Sequence, residues 1–472
     1  MKKENRLFEF EEKYPFLYDV IYGGVPVYVA LRDGVLGKLR DGENASSTVQ
    51  AQPKAKVSIR RILDGFFKIR KFKNKKTLVF TTALYRRDKG RNLAAEFLID
   101  KYEDVGILEW PMRSAAYDDA YFLDEKKGVY CPLDFYAVYS KIYYLFHKKE
   151  YAKLYNECKE QIEKEFAKNQ TTLENEDAAI KYLLEELPVS YAETALNQAI
   201  AKKYFKGFKK VKTAIDFWGG ARENITPSLY GDVTSVELQH GIITKNHPGY
   251  VYPAFVKNAK TDFFKRQMLV YGEKTKRILC EESVFESDRV EVIGNPRTAT
   301  YKSKFGAESS GRKLILFASQ PYEQDGAGID YYKTVAPVLR EVQRVMKTDK
   351  RWEGFRLGVK LHPRESNGAL EFYKEQVVGI EVFDNTSQLY ELLLESYLQV
   401  TVSSTTLYEA AEFGTPTVAL KYGDLSAREI YGFDVKTIES QADVEGLFSQ
   451  LIDECNYAEY TTYLKEKTKE NM

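Results

Sequence analysis

The stretch LQVTVSSTTLYEAAEFGTPTVAL, residues 398–420, reads as strand, turn, helix and strand in immediate succession. Leu398–Val402 and Thr417–Leu420 are short apolar runs, and Thr406–Phe413 has helical character ended by Gly414. Two strands joined through a helix run parallel. Between the first strand and the helix stand four hydroxyls, Ser403, Ser404, Thr405 and Thr406. The first turn of a helix has backbone N–H groups without intrahelical partners and carries the positive end of the dipole, so it suits an anion such as a phosphate. Thr406-x-x-Glu409 also fits a capping box. One cap residue suffices for that, and four consecutive hydroxyls exceed the need.

The same rhythm extends in both directions. Strands are expected at Leu314–Ala318, Leu357–Leu361 and Val378–Val382, with helices at Tyr331–Lys347, Gly368–Gln376 and Ser387–Glu395. Upstream, strands are expected at Thr77–Thr82, Val105–Trp110, Ala214–Trp218, Thr234–Leu238, Gln267–Tyr271 and Val290–Ile293. Long helices are expected from Tyr136 to Phe166 and Asp177 to Lys206, and a shorter one near Lys274–Cys280. Thr298–Arg312 is polar and reads as an interdomain linker. The expected fold class is α/β, with two Rossmann-like domains facing a cleft and an irregular N-terminal extension. Residues 1–297 form the first domain with that extension, 298–312 the linker, 313–441 the second domain and 442–472 a charged helical tail. Asp41–Pro53 reads as a polar loop, and Val25–Leu31 as strand-like or buried.

Composition narrows the function. The 472 residues suffice for two to three domains at ~150 each. With 44% hydrophobic residues a sizeable core is available, and many of the 35 Tyr and 27 Phe must lie in it. Seventy basic against 69 acidic residues argue against a surface built to wrap nucleic acid. Four cysteines, none in a C-x-x-C pair, point to reduced thiols in the cytoplasm. There is no P-loop, no H-E-x-x-H and no D-x-D pair for a divalent ion on a diphosphate, so no metal and no resident cofactor are expected. No apolar segment follows Met1–Arg6 to make a signal peptide, and no run is long enough to span a membrane. Val57–Lys76 alternates Ile59, Ile62, Leu63, Phe66 and Phe67 with Arg60, Arg61, Lys68, Arg70 and Lys71. That pattern fits either a membrane-surface helix or an ordinary helix packed on a core.

Ligands of doubly wound sheets bind at the carboxyl ends of strands. His240, in Gln239-His240-Gly241, directly follows one strand, and Lys245 and His247 come soon after. A neutral imidazole there suits the removal of a proton from an acceptor hydroxyl. A strand-end His that only bonds a neighbouring loop is the plainer alternative, and His247-Pro248-Gly249-Tyr250 also reads as a turn. His362 closes Gly358–Leu361 with Pro363 behind it, and Lys360 and Arg364 add positive charge suited to phosphate. Gln320 follows another strand and is placed to line the cleft.

Together LQHG, HPGY, GNP, KLHPRE and SSTTLYEA…GTP resemble bacterial capsule and surface-polysaccharide glycosyltransferases of the two-domain GT-B architecture. The His-Pro and Ser-Ser pairs are similar to those of sialyltransferases, Kdo transferases and teichoic-acid glycerophosphotransferases. The resemblance covers roughly residues 211–425. It implies metal-independent transfer of a sugar from a nucleotide-activated donor to a growing glycan or lipid-linked acceptor. CMP is the favoured nucleotide, with UDP and GDP as alternatives. It further implies that His362, Ser403, Ser404 and Thr405 hold the donor phosphate and Glu409 its ribose; by their place beside these, Lys360 and Gln320 are also expected to bind the donor. His240 would be the base or would position the acceptor, and Gln239, Gly241, Lys245 and His247 are expected to meet the acceptor. The acidic D/E-D/E-G motif of the sialyltransferase-like families is missing, and Asp216 is the best acidic substitute. Such an enzyme would work in the cytoplasm at the inner membrane face. A non-hydrolysing nucleotide-sugar epimerase and a non-catalytic scaffold of a capsule complex are the competing readings.

Overall fold

A computed structural model describes residues 6–42, 59–82, 91–111, 129–217, 221–229, 232–306, 311–322, 330–362, 365, 367–384, 387–422 and 426–471. Two parallel sheets organise these residues. The first has strands β1 (Thr77–Thr82), β2 (Val105–Trp110), β3 (Tyr130–Pro132), β4 (Thr213–Asp216), β5 (Thr234–Leu238), β6 (Gln267–Val270) and β7 (Val290–Val292). They lie in the order β3-β2-β1-β4-β5-β6-β7. The second has β8 (Leu314–Ala318), β9 (Arg356–Lys360), β10 (Glu381–Phe383), β11 (Ser396–Thr401), β12 (Thr417–Leu420) and β13 (Thr437–Ile438), in the order β10-β9-β8-β11-β12-β13. Counted from its own first strand, each sheet follows the doubly wound order 3-2-1-4-5-6, and the first adds one strand at its far edge. Every residue of β1, β8 and β12 is buried. That is why these strands read as unbroken apolar runs: helices cover both faces of a parallel sheet.

The helices that matter for the site are α1 (Arg6–Lys13), α2 (Arg32–Asp41), α3 (Ile59–Phe72), α4 (Leu93–Lys101), α5 (Asp134–Phe146), α6 (Lys148–Phe166), α7 (Glu176–Tyr204), α8 (Glu273–Glu281), α9 (Pro296–Phe305), α10 (Thr406–Glu412) and α11 (Glu454–Asn471). Several depart from expectation. The helix expected from Tyr136 to Phe166 is two, α5 and α6, broken at His147. The N-terminal extension is largely helical. Phe10, Tyr14, Leu17, Tyr28 and Val35 share one core with α7 and with Tyr250–Tyr252. Within Val25–Leu31 only Val25–Pro26 is a strand, and Val27–Leu31 is a buried 3-10 turn.

The polar stretch expected as a linker is helical as far as Phe305. Asn295 caps α9 by accepting the Arg297 N–H at 3.1 Å, and Pro296 begins it. Tyr301 of α9 is buried with Leu93 of the first domain and Tyr390 and Phe413 of the second. The tail also does more than follow the second domain. Its helix α11 contributes Tyr460 and Leu464 to that domain's core and then packs on α8 of the first. Of the sequence readings, the Asp41–Pro53 loop beyond residue 42, the start of Val57–Lys76, Trp218, Pro363, Arg364 and residues 307–310 of the expected linker lie outside the described residues.

Helix α3 buries Arg61 and Gly65 together with Ile69 and Phe72. Arg61, only 1% exposed, pairs with Asp134 at 3.1 Å, and Gly65 presses against the end of β3. A Cβ on Gly65 would sit 2.4 Å from the Pro132 carbonyl oxygen, so no larger residue fits. Ile59, Leu63 and Phe67 are left outside, and so are Ile142, Leu145 and Phe146 of α5, which packs on α3; all six are about half exposed or more. Among the described residues no helix is long and apolar enough to cross a membrane.

Candidate functional site

A cavity of about 620 Å³ lies between the two domains, at the carboxyl ends of β5 and β6 on one side and of β8 and β9 with the start of α10 on the other. The first domain supplies Gln239, His240, Gly241, Lys245, Tyr271, Lys274, Asn295 and Arg297. The second supplies Ser319, Lys360, His362, Ser404, Thr405, Glu409 and Tyr431, and the end of α11 adds Asn471. Nine residues singled out from the sequence therefore face one space. The other four, Asp216, Gln320, Ser403 and His247, do not line it.

Those four have structural duties. The Asp216 carboxylate accepts the Arg222 N–H at 3.3 Å, at the start of the short helix Ala221–Asn224. Ser403 and Gln320 bridge the point where the strand order of the second sheet reverses. The Ser403 N–H donates to Gln320 Oε1 at 2.8 Å, Gln320 Nε2 donates to the Ser403 hydroxyl at 3.1 Å, and the Tyr322 hydroxyl meets Ser403 at 2.6 Å. His247 accepts the Gly249 N–H on Nδ1 at 3.1 Å, so His247-Pro248-Gly249-Tyr250 is a turn. Burial lowers the His247 imidazole.

On the second-domain side the capping box does not form. The Thr405 side chain makes no cap hydrogen bond, and Thr406 accepts from Gln399. Glu409 instead receives Arg297 Nη1 at 3.1 Å and the Tyr390 hydroxyl at 2.7 Å, both on Oε1. Ser404 Oγ accepts the Thr406 N–H at 3.2 Å. Three of the four hydroxyl residues, Ser404, Thr405 and Thr406, line the cavity with Lys360 and His362, and of these Thr406 is engaged by Gln399. Lys360 is buried, and its ammonium donates to the Leu361 carbonyl at 2.5 Å. The loop after β9 is held from beneath by Glu365, which accepts the His362 N–H at 2.6 Å and the hydroxyls of Ser319 and Tyr332 at 2.8 and 3.1 Å. Burial pushes the Glu365 carboxyl up to about 7, although these donors and Lys360 pull the other way.

On the first-domain side, Gln239 braces the turn. Its Oε1 accepts the Tyr271 N–H and its Nε2 donates to the Gly241 carbonyl, each at 2.7 Å. Gly241 does not adopt a left-handed backbone, so the turn itself does not require glycine. A Cβ there would meet no protein atom within 4 Å; what glycine leaves is room. Lys245 is exposed at the rim and pairs with Glu282 at 2.7 Å. The His240 imidazole is pushed down to about 4, first by burial and then by His247 and Arg222, against the opposing pull of Glu237. It is therefore neutral at physiological pH, as a proton acceptor must be.

Arg297, Tyr271, Lys274 and Asn471 were not singled out from the sequence. Arg297 had a legible signal in the Asn-Pro-Arg helix start; the other three depend on how distant elements meet. Among the described residues no group of three or more His, Cys, Asp or Glu is placed to hold a metal ion.

No family model and no curated protein match this chain. Among solved structures it is similar to a UDP-N-acetylglucosamine 2-epimerase, at 13% identity over 82% of this chain and 90% of that one, with a TM-score of 0.49. It is also similar to the Neisseria meningitidis UDP-GlcNAc 2-epimerase bound to UDP-GlcNAc, at 14% identity over 84% and 96% of the two chains and a TM-score of 0.47. A third similar structure is the wall teichoic acid polymerase TagF, at 12% identity over 86% and 87%, with a TM-score of 0.43.

Proposed function

We propose that this chain is a glycosyltransferase that moves a sugar from a nucleotide-activated donor to a hydroxyl of a growing surface glycan. The observation that carries this reading is the convergence of His240 with Ser404, Thr405, Lys360 and His362 on one interdomain cavity. The donor phosphate sits against Ser404, Thr405, His362 and Lys360, and its ribose against Glu409. The acceptor enters past Gly241 and Lys245. His240 takes the proton of the acceptor hydroxyl as that oxygen bonds to the anomeric carbon. The bond from that carbon to the phosphate oxygen breaks, and its electron pair leaves with the nucleotide. Hydroxyls, the Lys360 ammonium and the start of α10 receive that charge where it develops. The His-Pro and Ser-Ser resemblance favours a cytidine nucleotide.

The test is a calorimetric titration with CMP, CDP, UDP and GDP, followed by turnover of the matching nucleotide-sugars with and without added acceptor. Product only with acceptor supports the transferase. Isomerisation of the nucleotide-sugar without acceptor supports the epimerase instead, and binding of no nucleotide leaves a scaffold.

We further read the acceptor as lipid-linked or membrane-borne, with the protein working in the cytoplasm against an anionic bilayer. What supports this is the exposure of Ile59, Leu63 and Phe67 on α3 and of Ile142, Leu145 and Phe146 on α5, two helices in contact that also expose Arg60, Arg70, Lys71 and Lys141. Apolar side chains ringed by cations suit the boundary between acyl chains and anionic headgroups.

A further inference from the structure

The first-domain wall of the cavity carries two cations that have no counter-charge. Lys274 and Arg277 both border the cavity and stand three residues apart on α8, so they share one face of that helix. Lys274 lies in the first turn, where the helix dipole disfavours a cation. Glu273, the acidic residue of that turn, is exposed and does not border the cavity. The Lys274 ammonium reaches the second domain, where a Cβ on Gly432 would lie 2.3 Å from Nζ. It donates to Asn471 Oδ1 at 3.1 Å, a neutral acceptor, and an ammonium has three N–H groups to give. Among the described residues neither Lys274 nor Arg277 is in an ion pair. Of the carboxylates bordering this side, Glu282 is paired with Lys245 at 2.7 Å and Glu281 pairs with neither cation. Burial lowers the Lys274 ammonium, and the charge of Arg277 lowers it further.

We propose that Lys274 and Arg277 form a subsite for a phosphate group of the acceptor, separate from the place of the donor phosphate. That the phosphate belongs to an acceptor rests on the transferase reading; that an anion binds here does not. Two like charges that have given up part of their hydration repel each other, and an anion between them offsets both costs. A phosphate has the oxygens to accept from the ammonium and from the planar fork of a guanidinium together. Position assigns it to the acceptor. Helix α8 begins just past the end of β6, and β6 pairs with β5, the strand whose end leads into His240 and Gly241. The donor phosphate is provided for across the cavity by Ser404, Thr405, Lys360 and His362, which belong to the other domain. An acceptor entering past Gly241 and Lys245 would meet Arg277 and Lys274 on the same wall. Two sources share this chemistry, a diphosphate joining the glycan to lipid and a phosphodiester within the glycan.

The experiment is calorimetric titration of the full chain with inorganic pyrophosphate while the donor position is saturated with the nucleotide that binds it. Pyrophosphate should bind the wild type. Lys274→Gln with Arg277→Gln should weaken that binding at least about tenfold, the loss of bonds between charged groups, and leave nucleotide affinity within twofold. The urea midpoint should hold or rise, because the substitutions end a repulsion; a merely structural pair would lower it. Dimethyl phosphate in place of pyrophosphate tells the sources apart: much weaker binding indicates the lipid diphosphate, and comparable binding the phosphodiester. No binding of either probe by the nucleotide-saturated wild type overturns the proposal. So does equal binding by the variant, or a loss of nucleotide affinity in it, which would give the pair to the donor. If the double variant does not fold, Arg277→Gln alone decides. If the wild type binds no nucleotide, the transferase reading fails, and pyrophosphate binding lost in the variant still establishes the anion subsite.

Discussion

Arg297 Nη1 stands 3.1 Å from Glu409 Oε1, tying the start of α9 to the helix that faces the cavity from the second domain. The guanidinium also lies over the Tyr390 ring, 4.9 Å from its centroid, and the Tyr390 hydroxyl bonds the same carboxylate oxygen. Glu409 thus joins the halves of the chain at the position where the resemblance puts the donor ribose. Glu409→Gln should weaken nucleotide binding by roughly tenfold and lower unfolding stability by ~1.5–3 kcal/mol, the range for hydrogen bonds to charged groups. Calorimetry and urea unfolding read the two effects separately. Loss of stability with unchanged nucleotide affinity would leave Glu409 a structural tie alone.

Removing the imidazole should spare the donor. His240→Ala is expected to lower turnover by ~10²–10⁴-fold, the usual range for a general base. Nucleotide affinity should stay within twofold of wild type by calorimetry, and an active variant would refute the assignment.

Of the hydroxyls before α10, Thr405 gives the cleaner test, because its side chain makes no cap bond. Thr405→Ala should leave the unfolding midpoint in place and weaken donor binding by roughly tenfold, the loss of one bond to a charged phosphate. Ser404→Ala should do both, since Ser404 accepts the Thr406 N–H; its stability cost should be ~1 kcal/mol. Loss of stability without loss of affinity in both variants would mean the hydroxyls serve the helix only.

Acid should switch the reaction off late. His240 titrates near 4 in the fold and near 6.5 in an unfolded chain. Rate should therefore be flat from pH 8 to about 5 and fall toward pH 4. Between those two values the unfolded chain binds the proton and the folded one does not. This contribution to stability is thus complete above pH 6.5 and lost as pH drops toward 4. Glu365 works in the opposite sense, because its folded value is raised to about 7. Its contribution is complete below the ordinary carboxyl range and disappears as pH rises through 7. Glu365→Gln should flatten the pH 5–8 part of the stability profile in urea unfolding, while His240→Gln should flatten the part below pH 6.5.

The α3–α5 surface makes a prediction about lipid. Leu63→Glu with Phe67→Glu should abolish co-sedimentation with vesicles containing anionic lipid at low salt, with the thermal midpoint unchanged because both side chains are already exposed. Equal binding to neutral vesicles, or none by the wild type, would remove the membrane reading.

The sequence showed most clearly what is repeated and buried. Strands β1, β8 and β12 are buried along their whole length and read as unbroken runs, and nine of the thirteen expected site residues line the cavity. The failures have local causes. At three residues, Tyr130–Pro132 is too short for any period to show. His147 breaks a helix without glycine or proline, and its N–H still bonds the carbonyls of Tyr143 and Tyr144, so the hydrophobic pattern runs through unaltered. Polar composition hid α9, whose Asn-Pro start was nevertheless a proper helix signal. Ser403 and Gln320 look like ligand groups in sequence because nothing in a single strand shows that they satisfy each other across β8 and β11. The amphipathic pattern of α3 was legible, but the division of its apolar residues was not: Ile69 and Phe72 go inward with Arg61, which finds a buried partner in Asp134, distant in sequence, while Ile59, Leu63 and Phe67 stay outside.

Helix α11 has a mechanical consequence. The polypeptide passes between its halves through α9, and α11 then reaches back to rest on α8. A single covalent crossing would let the halves swivel as well as gape. An attachment far from that crossing would restrain such a swivel more than it restrains gaping. Lys274 and Asn471 belong to that attachment and also border the chamber, at 3.1 Å from each other, so any change of angle between the halves would act directly on its wall.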